Sequence, residues 1–192
     1  MTRIGDVTKG GNTGLGAERL PQMPALKRRS APQLSMRLGH YALGLARTED
    51  EVREAQRLRY KVFVEEFGAE ICAGVPGHDI DYYDDFCDHL IVRDLDAGRV
   101  VGTYRILPPS AAQAVGEYYS EKEFSIERLE ALRPQLVEVG RSCIHRDYRS
   151  GAVIGLLWQG LTAYMAEGNY GYLMGCASIG MADGGHNAAN VY

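Results

Sequence analysis

The sequence predicts an α/β (α+β) fold, a mixed central sheet flanked by helices. Three observations lead there. Patterned segments run in the order strand, helix, hairpin, irregular helix, strand, helix, strand. One of the helices carries its own start signal and a strong apolar stripe. The length of 192 residues, 45% apolar and 24% charged, supports a single buried core.

Residues 1 to about 38 contain Gly10, Gly11, Gly14, Gly16, Pro21, Pro24 and Pro32 and few large apolar groups, a composition expected of a flexible tail before a domain spanning 39–192. The run Gly10-Gly11-Asn12-Thr13-Gly14-Leu15-Gly16 follows no strand and ends in no Gly-Lys-Ser/Thr, so it reads as linker and not as a phosphate loop. Tyr41 to Ala46 is the first strand. Thr48 followed by Glu51 forms a capping box, and Val52, Ala55, Leu58, Val62, Phe63 and Phe67 then recur at helical steps as far as Gly68. His89 to Arg93 and Arg99 to Leu107 read as a hairpin, stopped by Pro108 and Pro109. Tyr118 to Leu132 reads as broken helix, Gln135 to Ile144 as strand, and Gly151 to Glu167 as a helix with Ile154, Leu157, Trp158, Leu161 and Met165 on one side. Tyr170 to Ile179 completes the sheet, and a further helix opens at Ala182, cut at Tyr192.

A net charge of −4 argues against a general nucleic-acid binder, which needs a clustered basic surface. Cys72, Cys87, Cys143 and Cys176 are dispersed, with no C-x-x-C pair, and fit neither a zinc site nor a disulfide framework. With no apolar leader, and with Ala152 to Trp158 too short to cross a bilayer, a cytoplasmic protein is expected. The acidic run Asp79, Asp81, Asp84, Asp85 and Asp88 lacks the ligand spacing and Gly of a calcium loop, so no metal is expected and an Arg-paired or solvated loop is.

Several blocks occur together: Arg59-x-x-x-Phe63, Asp81-Tyr82-Tyr83-Asp84, Asp88-His89-Leu90, Gly102-Thr103-Tyr104-Arg105-Ile106-Leu107-Pro108 and Glu138-Val139-Gly140-Arg141. In this order they resemble the acyl-homoserine lactone synthases. Gly140-Arg141-Ser142-Cys143-Ile144-His145-Arg146-Asp147-Tyr148-Arg149 and Gly175-Cys176-Ala177-Ser178 resemble more closely the bacterial L-ornithine N-alpha-acyltransferases, a hemolysin-like group of the GNAT superfamily, over about residues 41 to 192. The resemblance implies the GNAT-like acyl-CoA N-acyltransferase fold. It also implies transfer of a 3-hydroxyacyl or fatty acyl chain from the phosphopantetheine of acyl carrier protein, with no other cofactor bound, to L-ornithine, giving lyso-ornithine lipid.

An amine attacks a thioester only when neutral, so its ammonium must lose a proton to a carboxylate or a water held by one. Glu138, on a strand beside Gly140, is the candidate base or amine-holding group, with a salt bridge to Arg105 or Arg141 as the structural alternative. The resemblance implies a polar network of Arg59, Arg105, Asp81 and Asp84 around the acyl and acceptor sites, with Arg105 near the chemistry and Phe63 and Arg141 near the substrate. Arginine forks there would fix loops or hold the ornithine carboxylate.

In acetyltransferases of this fold a Gln/Arg-x-x-Gly-x-Gly/Ala loop opens a helix that cradles a pyrophosphate. Here Arg149-Ser150-Gly151-Ala152-Val153-Ile154 stands in its place, and Ile154 departs from the pattern. This favours carrier protein over coenzyme A, with Arg146, Arg149, Gly151 and Ala152 toward the donor and Arg141, Arg146 and Arg149 toward the acidic carrier. Cys143 and His145 share a strand face, yet without an orienting third group a Cys–His nucleophile is disfavoured. Trp158, Tyr164 and Met165 are helix core first and an acyl wall second. The rival readings are a lactone synthase and a truncated relic that only binds carrier protein. An amphiphilic product also suggests peripheral contact with the cytoplasmic membrane.

Overall fold

The computed structural model describes residues 33–70, 74–178 and 184–186. The Gly-rich stretch before residue 33, Cys72 and nearly all of the helix expected from Ala182 lie outside the described residues. Six strands form one sheet in chain order: β1 (Ser35–Leu38), β2 (Tyr41–Leu45), β3 (Asp88–Asp94), β4 (Arg99–Leu107), β5 (Leu136–Ile144) and β6 (Tyr172–Met174). All neighbours are antiparallel except β5 and β6, which run parallel.

Helix α1 (Glu49–Tyr60) and the turn that follows it cover one face of the sheet, with Ala55 and Leu58 of the helix and Val62 of the turn packed on Ile91, Val100 and Cys143. Its start is the expected capping box: Glu51 N–H donates to Thr48 Oγ1 at 3.2 Å, and Thr48 N–H to Glu51 Oε2 at 3.3 Å. The helix does not continue regularly to Gly68, because Lys61–Glu66 widens into a π-turn in which Phe67 N–H reaches back to Val62 O at 3.1 Å. Helix α3 (Ala152–Glu167) covers the other face, where Val153, Leu156, Leu157, Leu161 and Tyr164 meet Leu43, Leu90, Val92, Ile106, Val137 and Val139. Gly102 admits this approach: a Cβ there would lie 2.5 Å from Val153 Cγ1 and 3.4 Å from Leu157 Cδ1.

Part of the stretch expected to be a flexible tail, up to residue 38, belongs to the sheet. Leu34 is buried and Ser35–Leu38 pairs with β2, because a Gly39-His40 turn, with Gly39 at φ 59°, folds these residues onto the sheet edge. A short helix α2 (Pro109–Val115) follows β4 where the sequence reading saw only a strand stop. Pro109 opens it and Gly116, at φ 96°, closes it. The broken helix resolves into two 3₁₀ segments, Tyr119–Lys122 and Glu127–Gln135.

The strand expected over Tyr170 to Ile179 is shorter. The register ends at Glu138 against Met174, and β6 then leaves β5. A Cβ on Gly175 would sit 2.6 Å from Val139 O, so the chains touch at this point before they part. At Gly140, by contrast, a Cβ would meet nothing within 4 Å. Gly140 borders open space because β6 has already diverged.

Gly102→Ala should push α3 off the sheet, since the β-branched Val153 has little rotamer freedom in a helix. Chemical denaturation should show a loss of about 1–3 kcal/mol. An unchanged unfolding midpoint would mean that α3 is not seated on β4 as described.

Candidate active site

The parting of β5 and β6 opens a cavity of about 910 Å³. Tyr104 packs on the α3 side and Arg105 pairs with aspartates on the other side, yet both line it. The cavity therefore passes through the sheet by the gap. Its apolar wall includes Phe63, Phe67, Phe124, Trp158 and Leu173, and its polar wall Asp79, Arg105, Glu138, Arg141 and Cys176. Arg141 has φ 50°, a left-handed value uncommon for a residue with a side chain, at a bulge where two residues of β5 oppose Tyr104. The bulge interrupts the alternation of β5 beside the opening.

Behind the polar wall three arginines and three aspartates alternate in a closed ring. Arg59 Nε meets Asp79 Oδ2 at 3.0 Å and Arg59 Nη2 meets Asp84 Oδ2 at 2.6 Å. Arg105 Nη1 contacts Asp84 Oδ1 at 3.2 Å and Asp81 Oδ1 at 2.5 Å. Arg141 closes the circuit, 3.4 Å from Asp81 Oδ2 and 3.3 Å from Asp79 Oδ2. The structure brings Arg59, Arg105, Asp81 and Asp84 into contact and adds Asp79 and Arg141 to the same network. Arg59 is wholly buried, and its Nη2 also donates to the Asp79 carbonyl at 2.5 Å.

His89 packs on the ring. Its Nε2–H donates to the Asp84 carbonyl at 3.2 Å, and Nδ1 faces Arg59 Nη1 at 3.5 Å, the pattern of a neutral imidazole. Burial pushes it down to about 4, against the opposing pull of Asp84. Burial, the largest single influence, raises the Asp84 carboxyl, but Arg59, by charge and hydrogen bond, and its other cationic neighbours such as Arg105 together hold it below its ordinary range.

Glu138 lines the cavity and pairs with neither Arg105 nor Arg141. Its Oε2 accepts from Tyr119 N–H at 2.7 Å, and its Oε1 from Ser120 N–H at 2.7 Å and Ser120 Oγ–H at 2.5 Å. Three of about four lone-pair sites are occupied, which leaves one on Oε2 for a ligand. Neither Tyr119 nor Ser120 was read as functional, because no local pattern links the 3₁₀ turn to a strand 18 residues away.

The residues read as donor-binding do not reach the cavity. Arg146 is exposed in a 3₁₀ turn (Arg146–Tyr148), and Gly151 and Ala152 start α3. Arg149 is engaged, its fork meeting Glu66 at 2.5 and 2.8 Å and its Nε donating to the Ile144 carbonyl at 3.1 Å. Cys143 is buried under α1, where burial pushes its thiol up to about 12. His145 Nε2 instead lies 3.0 Å from Lys61 Nζ, so the disfavoured Cys–His pair does not form.

Residues 58–159 match the acetyltransferase (GNAT) domain, and the chain belongs to this family. The L-ornithine N(alpha)-acyltransferase of Brucella abortus (strain 2308) is 38% identical over 152 residues, which cover 74% of this chain and 54% of the relative. That of Rhizobium meliloti (strain 1021) is 40% identical over 152 residues, with 74% and 51% covered. The chain spans about half the length of these curated relatives. The acyl-homoserine lactone synthase LasI shares the fold with a TM-score of 0.53 at 19% identity, covering 71% of each chain.

The folded pKa of His89 lies below its ordinary 6.5, so the unfolded chain binds more protons as the pH drops from 6.5 to about 4. The stabilisation present at neutral pH is lost across that window, by roughly 3 kcal/mol for this group. Asp84 adds a further loss lower still, as the pH falls through its depressed pKa. Urea unfolding at pH 7, 5.5 and 4 should follow this slope, and His89→Gln should flatten it between 6.5 and 4. An equal slope in the variant would contradict a buried neutral His89.

Proposed function

We propose that this chain carries the acyl-transfer domain of an L-ornithine N-alpha-acyltransferase. It moves a (3-hydroxy)fatty acyl group from the phosphopantetheine thioester of acyl carrier protein to the α-amine of ornithine, the first step toward an ornithine lipid. The names of its relatives support this reading. The observation that carries it is the cavity through the sheet, with a carboxylate on one wall and apolar side chains on the other.

The thioester lies in the gap left by β6, its acyl chain against Trp158, Leu173, Phe124 and Phe67, where Trp158 and Phe124 are largely exposed and free to be covered. Beyond Met174 the edge of β5 away from β4 has lost its partner β6 while Val139 to Ser142 line the cavity, so amide groups on that edge can stabilise the oxyanion that forms on the thioester carbonyl. The remaining lone pair of Glu138 Oε2 holds the ornithine α-amine and takes its proton during attack. Arg141 has the longest contacts in the ring, and its side chain is 29% exposed, so it can turn to the ornithine carboxylate while Arg105 stays fixed by two aspartates. Phe63 closes the apolar side of the acceptor pocket. The amide groups at Gly151 and Ala152, with Arg146 near them, take the donor phosphate at the start of α3. Among the described residues no helix is long and apolar enough to cross a membrane. The amphiphilic product leaves by peripheral contact with the cytoplasmic face of the membrane.

Incubation with 3-hydroxyacyl carrier protein and L-ornithine should release thiol and form the N-acyl product, and Glu138→Gln should lower kcat by about a hundredfold. Carrier-protein donors should outperform coenzyme A thioesters. Transfer to S-adenosylmethionine in place of ornithine, or undiminished turnover by the variant, would contradict the reading of acceptor or base.

A further inference from the structure

Amide formation from a thioester moves one proton off nitrogen and requires another on sulfur. Both atoms are bonded to the same carbonyl carbon at the moment of transfer, so a base and an acid must stand close together. Glu138 accounts for the base. On the same cavity wall, Cys176 Sγ lies 3.2 Å from Ser120 Oγ, whose own proton goes to Glu138 Oε1 at 2.5 Å. A serine hydroxyl has one proton and the carboxylate claims it, so the Cys176–Ser120 bond must run from the thiol to the serine oxygen. Ser120 is 2% exposed and stands behind the wall, while Cys176 is open to the cavity. One buried hydroxyl thus sets the spacing between a thiol and a carboxylate that both face the reacting centre.

Resting on the acyl-transfer reading, we propose that Cys176 is the catalytic acid that protonates the leaving pantetheine sulfur, and that Ser120 is the positioning residue that ties this acid to the Glu138 base. The N–C bond forms as the amine attacks the carbonyl carbon, and the nitrogen proton goes to the Glu138 carboxylate. The C–S bond then breaks with its electron pair on sulfur, and the Cys176 thiol swings its proton from Ser120 to that sulfur. A thiol protonating a thiolate exchanges like for like, which suits this step. Glu138 returns its proton to water and Cys176 regains one from water, so the cycle balances without a further reactant. The sequence marks Cys176 only as part of the Gly175-Cys176-Ala177-Ser178 block and gives it no role, because its partner Ser120 lies 56 residues away.

The test compares two donors carrying the same acyl group, an alkyl thioester of pantetheine and an aryl thioester whose thiolate leaves without a proton, using the full chain with L-ornithine. Cys176→Ala should lose on the order of a hundredfold in kcat with the pantetheine thioester, with little change in KM, and only severalfold with the aryl thioester. Cys176→Ser, which keeps a proton in place, should recover part of the loss, and Ser120→Ala should show the same split between donors in milder form. An equal loss with both donors would mean that Cys176 only shapes the cavity, which overturns the acid while acyl transfer stands. Wild-type transfer from neither thioester overturns the functional reading and the acid together.

Discussion

The closed ring of Arg59, Asp79, Arg141, Asp81, Arg105 and Asp84 is the constraint on which the rest of the site depends. Its members come from α1, from the segment before β3, and from β4 and β5, so it ties one helix and two strands to a stretch with little regular structure. Asp81 also caps the 3₁₀ turn Tyr82–Asp85 by accepting from Tyr83 N–H at 2.9 Å, which fixes the loop itself. Three positive and three negative groups cancel. Removing one member leaves its neighbours charged and dry, which costs far more than an intact pair contributes over an apolar equivalent. The ring is therefore better understood as a specification of geometry than as a source of stability.

With the ring neutral, Glu123 and Glu138 are the carboxylates that line the cavity without a guanidinium partner among the described residues, and of the two Glu138 is the buried one. Glu138 is held by the Tyr119–Lys122 turn, so its position follows from the loop after α2, while the width of the opening follows from Gly175 against Val139. Apolar side chains from both sides, Trp158 of α3 and Phe63 and Phe67 after α1, then meet the polar wall at a gap between parallel strands.

The parts governed by neighbours in the chain were the legible ones. Thr48 and Glu51 announce the start of α1, but the apolar steps of α3 misplace its buried face: of Ile154, Leu157, Trp158, Leu161 and Met165 only Leu157 and Leu161 are fully buried, Trp158 is 51% exposed, and Val153, Leu156 and Tyr164 complete the core side. Helix α2 carried a readable signal in Pro109 and Gly116 that was taken only as a strand stop. The ring was legible as a set of charges but not as a circuit, since Arg141 and Asp81 are 60 residues apart and the bulge that turns Arg141 inward carries no glycine to announce it. Glu138 stands out in the sequence by its chemistry alone, and the salt bridge to Arg105 or Arg141 weighed as the alternative does not form. Its partners are backbone N–H groups, which every residue has and no pattern marks. The early end of β6 depends on a contact between Gly175 and the Val139 carbonyl, a tertiary event with no local signature.

A double-mutant cycle on Arg59→Met and Asp84→Leu, read by denaturant unfolding, probes the ring most directly. Each single substitution should cost about 3–5 kcal/mol by stranding a buried charge, and the pair together should cost less than the sum by about 2–3 kcal/mol. Additive losses would show that Arg59 and Asp84 do not act as one unit, and the ring would then be a set of adjacent charges that fixes nothing.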